Sequence, residues 1–253
     1  MLQTLGARSL PVPEGVTSLY IFESDRDIKR HSSYVQAKAG DAGAALELVA
    51  DLALPHIARS RNLFSKDCIF VAPHAKEASG DNAIPQVLAE LSALVCGAAS
   101  DKDIVQTTKV YHTGADPMER LISRPAFEGA VQVQARYVLV DDVTSLGGTL
   151  AELAHYIQIN GGIVHGVFVL VNAGRKKTFQ PDRMTVRKLQ TRYANELIEI
   201  FGISANALTA NEAQYLVGFR SVDEIRNRVA KARQEIHLRL RSKGISRIDS
   251  AQA

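Results

Sequence analysis

Apolar runs that alternate with helical patterns predict a parallel α/β sheet in the first two thirds of the chain. Continuous apolar runs, typical of strands buried on both faces, occur at 19–22, 68–73, 137–140 and 164–171. A short strand is expected at 103–106. Amphipathic helical spacing lies between these runs, at 42–54, 84–95 and 150–157, and Pro55 should kink or restart the first helix. This alternation indicates a mainly parallel, doubly wound sheet with helices on both faces.

After Asn172 the pattern changes to helices alone. One helix ends at Gly202, and two capping-box patterns follow it, Thr209 with Glu212 and Ser221 with Glu224. We therefore expect three segments: an irregular lead-in over 1–17, an α/β domain over 18–175 and an α-helical C-terminal extension over 176–253.

Composition is that of an ordinary globular protein. Of the 253 residues, 46% are hydrophobic and 23% charged, which excludes disordered, collagenous and disulfide-scaffold classes. The net charge of +3 is too small to indicate nucleic acid by itself. Apolar neighbours around Cys68 and Cys96 favour buried reduced thiols over a disulfide or a metal site. The start of the chain lacks a signal-peptide pattern, and no window approaches 18 apolar residues, so we expect a cytoplasmic protein without a membrane partner.

The stretch YVLVDDVTSLGGTLAEL, residues 137–153, carries the chemistry. Its apolar strand delivers Asp141 and Asp142 to the carboxyl edge of the sheet, where ligands of doubly wound folds bind. A loop with Ser145, Gly147, Gly148 and Thr149 then leads into a helix, and such a loop can bring backbone N–H groups close to a phosphate. The carboxylates would repel that phosphate, so they suit sugar hydroxyls or a metal instead. The alternative interpretation is a helix cap without a ligand.

This stretch resembles the 5-phosphoribosyl-1-diphosphate motif of type I phosphoribosyltransferases: four apolar residues, an acidic pair, an apolar link, then a Ser/Thr and Gly loop. The resemblance implies a sheet of that family's kind, with Asp141 and Asp142 on the ribose hydroxyls and the loop from Ser145 to Thr149 on the 5′-phosphate. Leu146 departs from the pattern, because a small hydroxyl residue is usual there, and Thr144 replaces an aliphatic one. The segments HTGADPMERLISRPAFEG, VAPHAKEASGDNAIP and FGISANALTANEAQYL also resemble a group of bacterial phosphoribosyltransferase-domain proteins of about this length.

The resemblance also implies roles for residues outside the motif. Lys76 follows the 68–73 strand at the position of the family's diphosphate loop. The polar stretch from 106 to 130 corresponds to the family's flexible lid, where Arg120 or Arg124 would contact diphosphate and His112 would exchange a proton. Mg²⁺ would accompany the diphosphate and contact Asp141 and Asp142 indirectly, through ribose or water. Further candidates for the acceptor site are Phe179, Lys176, Lys177, His31, Tyr34 and Lys38.

The function implied by the resemblance is Mg²⁺-dependent phosphoribosyl transfer from 5-phosphoribosyl-1-diphosphate to a nitrogen acceptor, such as a nucleobase-like heterocycle. The alternative is a non-catalytic ribose-phosphate or nucleotide sensor that binds a partner or nucleic acid through its helical extension. Eight Lys or Arg residues in 226–247 suit that alternative, although a solvated helix face explains them more simply. A dehydrogenase is disfavoured because no GxGxxG follows the first strand. We expect a small-molecule substrate and no nucleic-acid partner, and a homodimer stays open.

Overall fold

The fold was obtained as a computed structural model that describes residues 6–74, 82–107 and 115–242. The strands are β1 (Thr17–Phe22), β2 (Cys68–Val71), β3 (Ala99–Asp101), β4 (Val105–Gln106), β5 (Phe127–Glu128), β6 (Arg136–Thr144) and β7 (Ile163–Asn172). The helices are α1 (Arg26–Lys29), α2 (Tyr34–Lys38), α3 (Ala42–Ser60), α4 (Ile84–Cys96), α5 (Pro117–Ile122), α6 (Gly148–Ile159), α7 (Arg183–Phe201), α8 (Ala210–Leu216) and α9 (Val222–Ser242). A 3-10 turn, Ala205–Ala207, precedes α8.

The central sheet has five strands in the order β1-β7-β6-β2-β3, and each neighbouring pair is parallel. A separate antiparallel pair joins β4 and β5. Because parallel neighbours need crossover connections, the helices between the strands pass over the faces of the sheet. The mainly parallel α/β architecture expected from the sequence is therefore confirmed.

The two central strands, β6 and β7, are buried on both faces. Val138 and Val140 of β6 pack with α3 and α4 in one apolar cluster. Tyr137 and Leu139, which point to the opposite face, pack with α6 in a second cluster. This double burial explains the apolar runs 137–140 and 167–171, and it places helices on both sides of the sheet.

The C-terminal helices form a third apolar cluster with α5, here called the C-terminal cluster. Its buried residues are Met118, Leu121, Leu189, Tyr193, Leu197, Phe201, Ile203, Ala205, Ala207, Leu208, Ala213, Leu216, Ile225, Val229 and Ala232. The Thr209–Glu212 capping box starts α8, and Gly202 ends α7 in the left-handed conformation, as predicted. In the described ranges, no helix is long and apolar enough to cross a membrane. The segment bounds expected from the sequence stay a prediction.

The stretch from 106 to 130 is more structured than the sequence indicates. Met118 and Leu121 of α5 are fully buried in the C-terminal cluster. Arg228 and Arg239 of α9 form ion pairs with Asp116 and Glu119. The expectation of a long unpatterned loop is therefore wrong for residues 115–128, since a six-residue helix is too short to show a periodicity. His112 lies outside the described residues.

Candidate functional site

Strand β6 carries the acidic pair beyond the end of its neighbour. β2 ends at Val71, opposite Leu139, whereas β6 continues beside β7 until Thr144 pairs with Asn172. We predicted a strand that ends at the two aspartates, but Asp141 and Asp142 lie within β6 instead. They are therefore held by regular strand geometry on the β7 side and are open on the β2 side, at the carboxyl edge of the sheet.

One cavity of about 810 Å³ gathers the acidic pair and the glycine loop. Its wall includes Asp141, Asp142, Ser145, Leu146, Gly147, Gly148, Thr149 and Arg120, together with His74 at the end of β2. Tyr34 and Lys38 of α2 also contribute to the wall. Lys76 lies outside the described residues, like His112. The structure thus brings together the motif residues that the sequence singled out, and their roles stay predictions.

Lys38 is the functional candidate that sequence reasoning could not place. Its Nζ lies 2.6 Å from Oδ2 of Asp142, and the Asp142 side chain is only 5% exposed. Asp141 Oδ1 accepts from the N–H of Asp142 at 2.9 Å, and Asp142 Oδ1 accepts from the N–H of Val143 at 2.9 Å. In the sequence, only the charged residues around Lys38 indicated that it could belong to a site. The ion pair makes one member of the acidic pair a neutralised carboxylate.

The two carboxyl groups differ in electrostatic environment. Burial raises the pKa of Asp141 well above its usual value, the charge of Asp142 raises it further, and Lys38 opposes both effects. The folded state therefore retains the Asp141 proton more strongly than the unfolded chain does. The stability associated with that proton is lost as the pH rises through the raised pKa of Asp141.

Removing the charge of Lys38 should raise the pKa of Asp141 further. We expect Lys38→Met to move the carboxyl titration of Asp141, followed by carbon NMR, to higher pH than in the unaltered protein. Lys29→Met is the matched control, because Lys29 also lines the cavity but pairs with Asp25 at 2.5 Å. Equal titrations of Asp141 in all three proteins would show that Lys38 does not act on the pair.

The loop from Ser145 to Thr149 has the backbone needed for an anion. Gly147 has a φ of 82°, in the left-handed region, and it stands at the N-cap of α6 without a capping side chain. The first N–H groups of α6 have no intrahelical acceptor, and they lie at the positive end of the helix dipole. The loop can therefore donate several backbone hydrogen bonds to one phosphate group.

A buried ionic network lies beside this loop, and its four residues also line the cavity. Arg8 is fully buried and contacts Glu152 of α6 at 3.1 Å and Glu212 of α8. Arg124 also binds Glu152, with Nε 2.7 Å from Oε1 and Nη2 2.9 Å from Oε2. The region expected to be an irregular lead-in thus supplies a buried arginine. Two arginines and two glutamates balance one another in charge.

Two residues that the sequence suggested as ligand contacts, Arg124 and Phe179, have partners within the protein. Arg124 binds Glu152, Arg120 donates from Nε to the carbonyl of Ala115, and both arginines line the cavity, so the diphosphate role of either stays a prediction. Phe179 is 6% exposed and belongs to the apolar cluster under α6. The suggestion that Phe179 stacks on an acceptor ring is therefore wrong.

A second acidic group lies away from the cavity. Asp116, Glu119 and Glu235 place carboxylate oxygens within 4.8 Å of one another. Arg228 contacts Asp116 and lies 3.6 Å from Glu235, and Arg239 binds Glu119. The ion pairs of Asp116 and Glu119 join α5 to α9, which explains part of the basic character of α9.

The sequence is similar to curated proteins over most of its length. No protein-family model matches it. It is 38% identical to Protein TraN of Escherichia coli over 208 residues, which cover 80% of this chain and 46% of TraN. It is also 37% identical to an uncharacterized protein of Haemophilus influenzae over 133 residues, or 52% of this chain and 30% of that protein. The chain thus spans less than half the length of these two relatives.

A shorter similarity and two superpositions concern phosphoribosyltransferases. The chain is 36% identical to an orotate phosphoribosyltransferase of Methanocaldococcus jannaschii over 72 residues, 25% of this chain and 41% of that protein. The adenine phosphoribosyltransferase of Leishmania donovani superposes on 80% of this chain and 90% of its own, at 14% identity and a TM-score of 0.34. That of Leishmania tarentolae covers 65% and 98%, at 13% identity and a TM-score of 0.32. The α/β fold itself is established by the pairing of the strands, independently of these superpositions.

Proposed function

We propose that this chain binds 5-phosphoribosyl-1-diphosphate and transfers its phosphoribosyl group to a ring nitrogen of a nucleobase-like heterocycle, releasing diphosphate. The observation that carries the proposal is one cavity in which an acidic pair is followed, three residues later, by an uncapped glycine loop at a helix N-terminus. The similarity over 72 residues to an orotate phosphoribosyltransferase supports the same reaction class.

The cavity offers a different partner to each part of the ligand. Carboxylate oxygens accept hydrogen bonds from sugar hydroxyls, so Asp141 and Asp142 suit the ribose 2′ and 3′ groups. The amide groups of Gly148 and Thr149, with the hydroxyls of Ser145 and Thr149, suit the 5′-phosphate. The order of these groups along the chain sets the sugar between the acidic pair and the α6 terminus.

The same groups suit the chemistry of transfer. As the bond from ribose C1 to diphosphate breaks, positive charge develops on the sugar, and the neighbouring carboxylates stabilise it. Arg120 neutralises the departing diphosphate from the cavity wall. The acceptor nitrogen then attacks C1 with its lone pair, so that a strong general base is not required.

Mg²⁺ would contact the acidic pair only through water or the ribose. The cation prefers oxygen ligands and keeps several waters, which it would share with the diphosphate oxygens. Asp142 already faces Lys38, so Asp141, once it is ionised, is the better partner for a water of the cation. When bound with the substrate, Mg²⁺ would supply charge neutralisation of the diphosphate.

A ribose-phosphate sensor is the second candidate. It is favoured by Leu146, which packs against the C-terminal cluster and so joins the loop to the helical extension. A sensor would bind the same ligand through the same residues and pass the change to α8 without turnover.

Product detection separates the two candidates. Protein, Mg²⁺ and 5-phosphoribosyl-1-diphosphate incubated with pooled heterocycles should yield one new ribonucleotide mass and free diphosphate, and the Asp141→Asn/Asp142→Asn protein should yield neither. Tight ligand binding without a product would favour the sensor. Absence of binding by the unaltered protein would reject both.

A further inference from the structure

The start of α8 contacts the glycine loop directly. Thr209 Oγ1 donates a hydrogen bond to the carbonyl oxygen of Leu146, and the same oxygen atom caps α8 by accepting from the N–H of Glu212 at 3.1 Å. The Leu146 side chain packs against the C-terminal cluster. Both the backbone and the side chain of this loop residue are therefore held by the helical extension.

The two glycines of the loop fit closely against the extension. A Cβ at position 148 would lie 2.9 Å from Oε1 of Glu212. A Cβ at position 147 would lie 2.9 Å from the ring of Phe179 and 3.4 Å from Cγ2 of Thr209. Glycine at 147 is favoured by its positive φ, whereas a side chain at 148 would have to displace the carboxylate of Glu212.

The charges at this junction are arranged so that an anion is not repelled. Glu212 brings a carboxylate to the loop, but Arg8 contacts Glu212 and Glu152 together, and one Arg8 Nη donates to the carbonyl of Gly148 at 3.4 Å. Glu212 also accepts from the N–H of Thr209 at 2.8 Å within the capping box. Both of these contacts use Oε2 of Glu212, whereas Oε1 is the oxygen nearest to position 148, so Arg8 offsets the charge of Glu212 beside the loop.

We propose that the helical extension completes the phosphate site, with Thr209 as the positioning residue of the loop. Its hydroxyl fixes the carbonyl of Leu146, so that the following amide groups point together into the cavity. Leu146, which replaces the hydroxyl residue usual in the motif, contributes to the same positioning, because its side chain anchors the loop to the extension. This inference rests on the proposed function for the identity of the anion.

The test compares Thr209→Val with two matched variants. Thr209→Val removes both the donor and the cap, Thr209→Ser keeps both, and Ser221→Ala removes only the equivalent cap of α9, where Ser221 accepts from Glu224 at 3.2 Å. Ribose 5-phosphate affinity should fall about tenfold in Thr209→Val, the effect of one hydrogen bond. It should stay within about twofold in the serine variant and in Ser221→Ala.

A second measurement needs no ligand. Amide hydrogen exchange at Gly147, Gly148 and Thr149 should accelerate in Thr209→Val but not in Ser221→Ala. If the unaltered protein binds no ribose 5-phosphate, the proposed function fails, and this exchange result still decides the role of Thr209. Unchanged exchange, or an affinity in Thr209→Val equal to that in Ser221→Ala at a similar loss of melting temperature, would overturn the proposal.

Discussion

Replacing Asp141 and Asp142 together by asparagine should weaken the binding of ribose 5-phosphate by about 2–4 kcal/mol at a pH above the raised pKa of Asp141, because two charge-assisted hydrogen bonds become neutral ones. The replacement keeps the size of both side chains within β6. It also leaves Lys38 without the carboxylate that lies 2.6 Å from its Nζ, and the remaining positive charge cannot accept from a sugar hydroxyl. Calorimetry with ribose 5-phosphate measures the change directly.

Asp25→Asn is the matched control for this change. Asp25 also lines the cavity, and it also pairs with a lysine, Lys29, but it lies outside the acidic pair. We expect the affinity of the Asp25→Asn variant for ribose 5-phosphate to stay within about threefold of that of the unaltered protein, because an exposed ion pair contributes little. Equal affinities in a folded double variant and in the control would remove Asp141 and Asp142 from the site.

The order of strands and helices was predictable because its signals are local. β6 and β7 are buried on both faces, so the runs 137–140 and 167–171 are apolar throughout. The capping box at Thr209 and the left-handed Gly202 involve residues within one turn of each other. The motif residues were predictable for the same reason, since strand, acidic pair, loop and helix follow one another in the chain.

The remaining features depend on contacts that no short window contains. Arg8 contacts Glu152 and Glu212, which are 144 and 204 residues away in the sequence. A single charged residue forms no periodic pattern from which such contacts could be predicted. Lys38 meets Asp142 only because α2 folds over the edge of the sheet. The helix predicted to kink or restart at Pro55 runs as one element to Ser60, and Ile57, beyond the proline, is buried in the core.

The buried network leads to the prediction with the largest expected effect on stability. Glu152→Gln should lower the free energy of unfolding by about 3–5 kcal/mol, because it leaves buried arginine charge without a partner. Glu152 is 4% exposed and serves both Arg8 and Arg124. After the change, Arg124 would lose its carboxylate partner, and Glu212 alone would pair with Arg8. Urea denaturation, with Glu199→Gln on the exposed side of α7 as the control, measures the loss.

A charge-balanced double variant distinguishes unpaired charge from lost packing. Arg124→Met with Glu152→Met removes one charge of each sign and leaves Arg8 paired with Glu212. Apolar replacement of a complete buried pair is often neutral, so we expect the double variant to recover more than half of the stability lost in Glu152→Gln. A loss below about 1 kcal/mol in Glu152→Gln would contradict the assignment of this network as an electrostatic anchor. A double variant less stable than the single one would contradict it as well, since lost contacts rather than unpaired charge would then dominate.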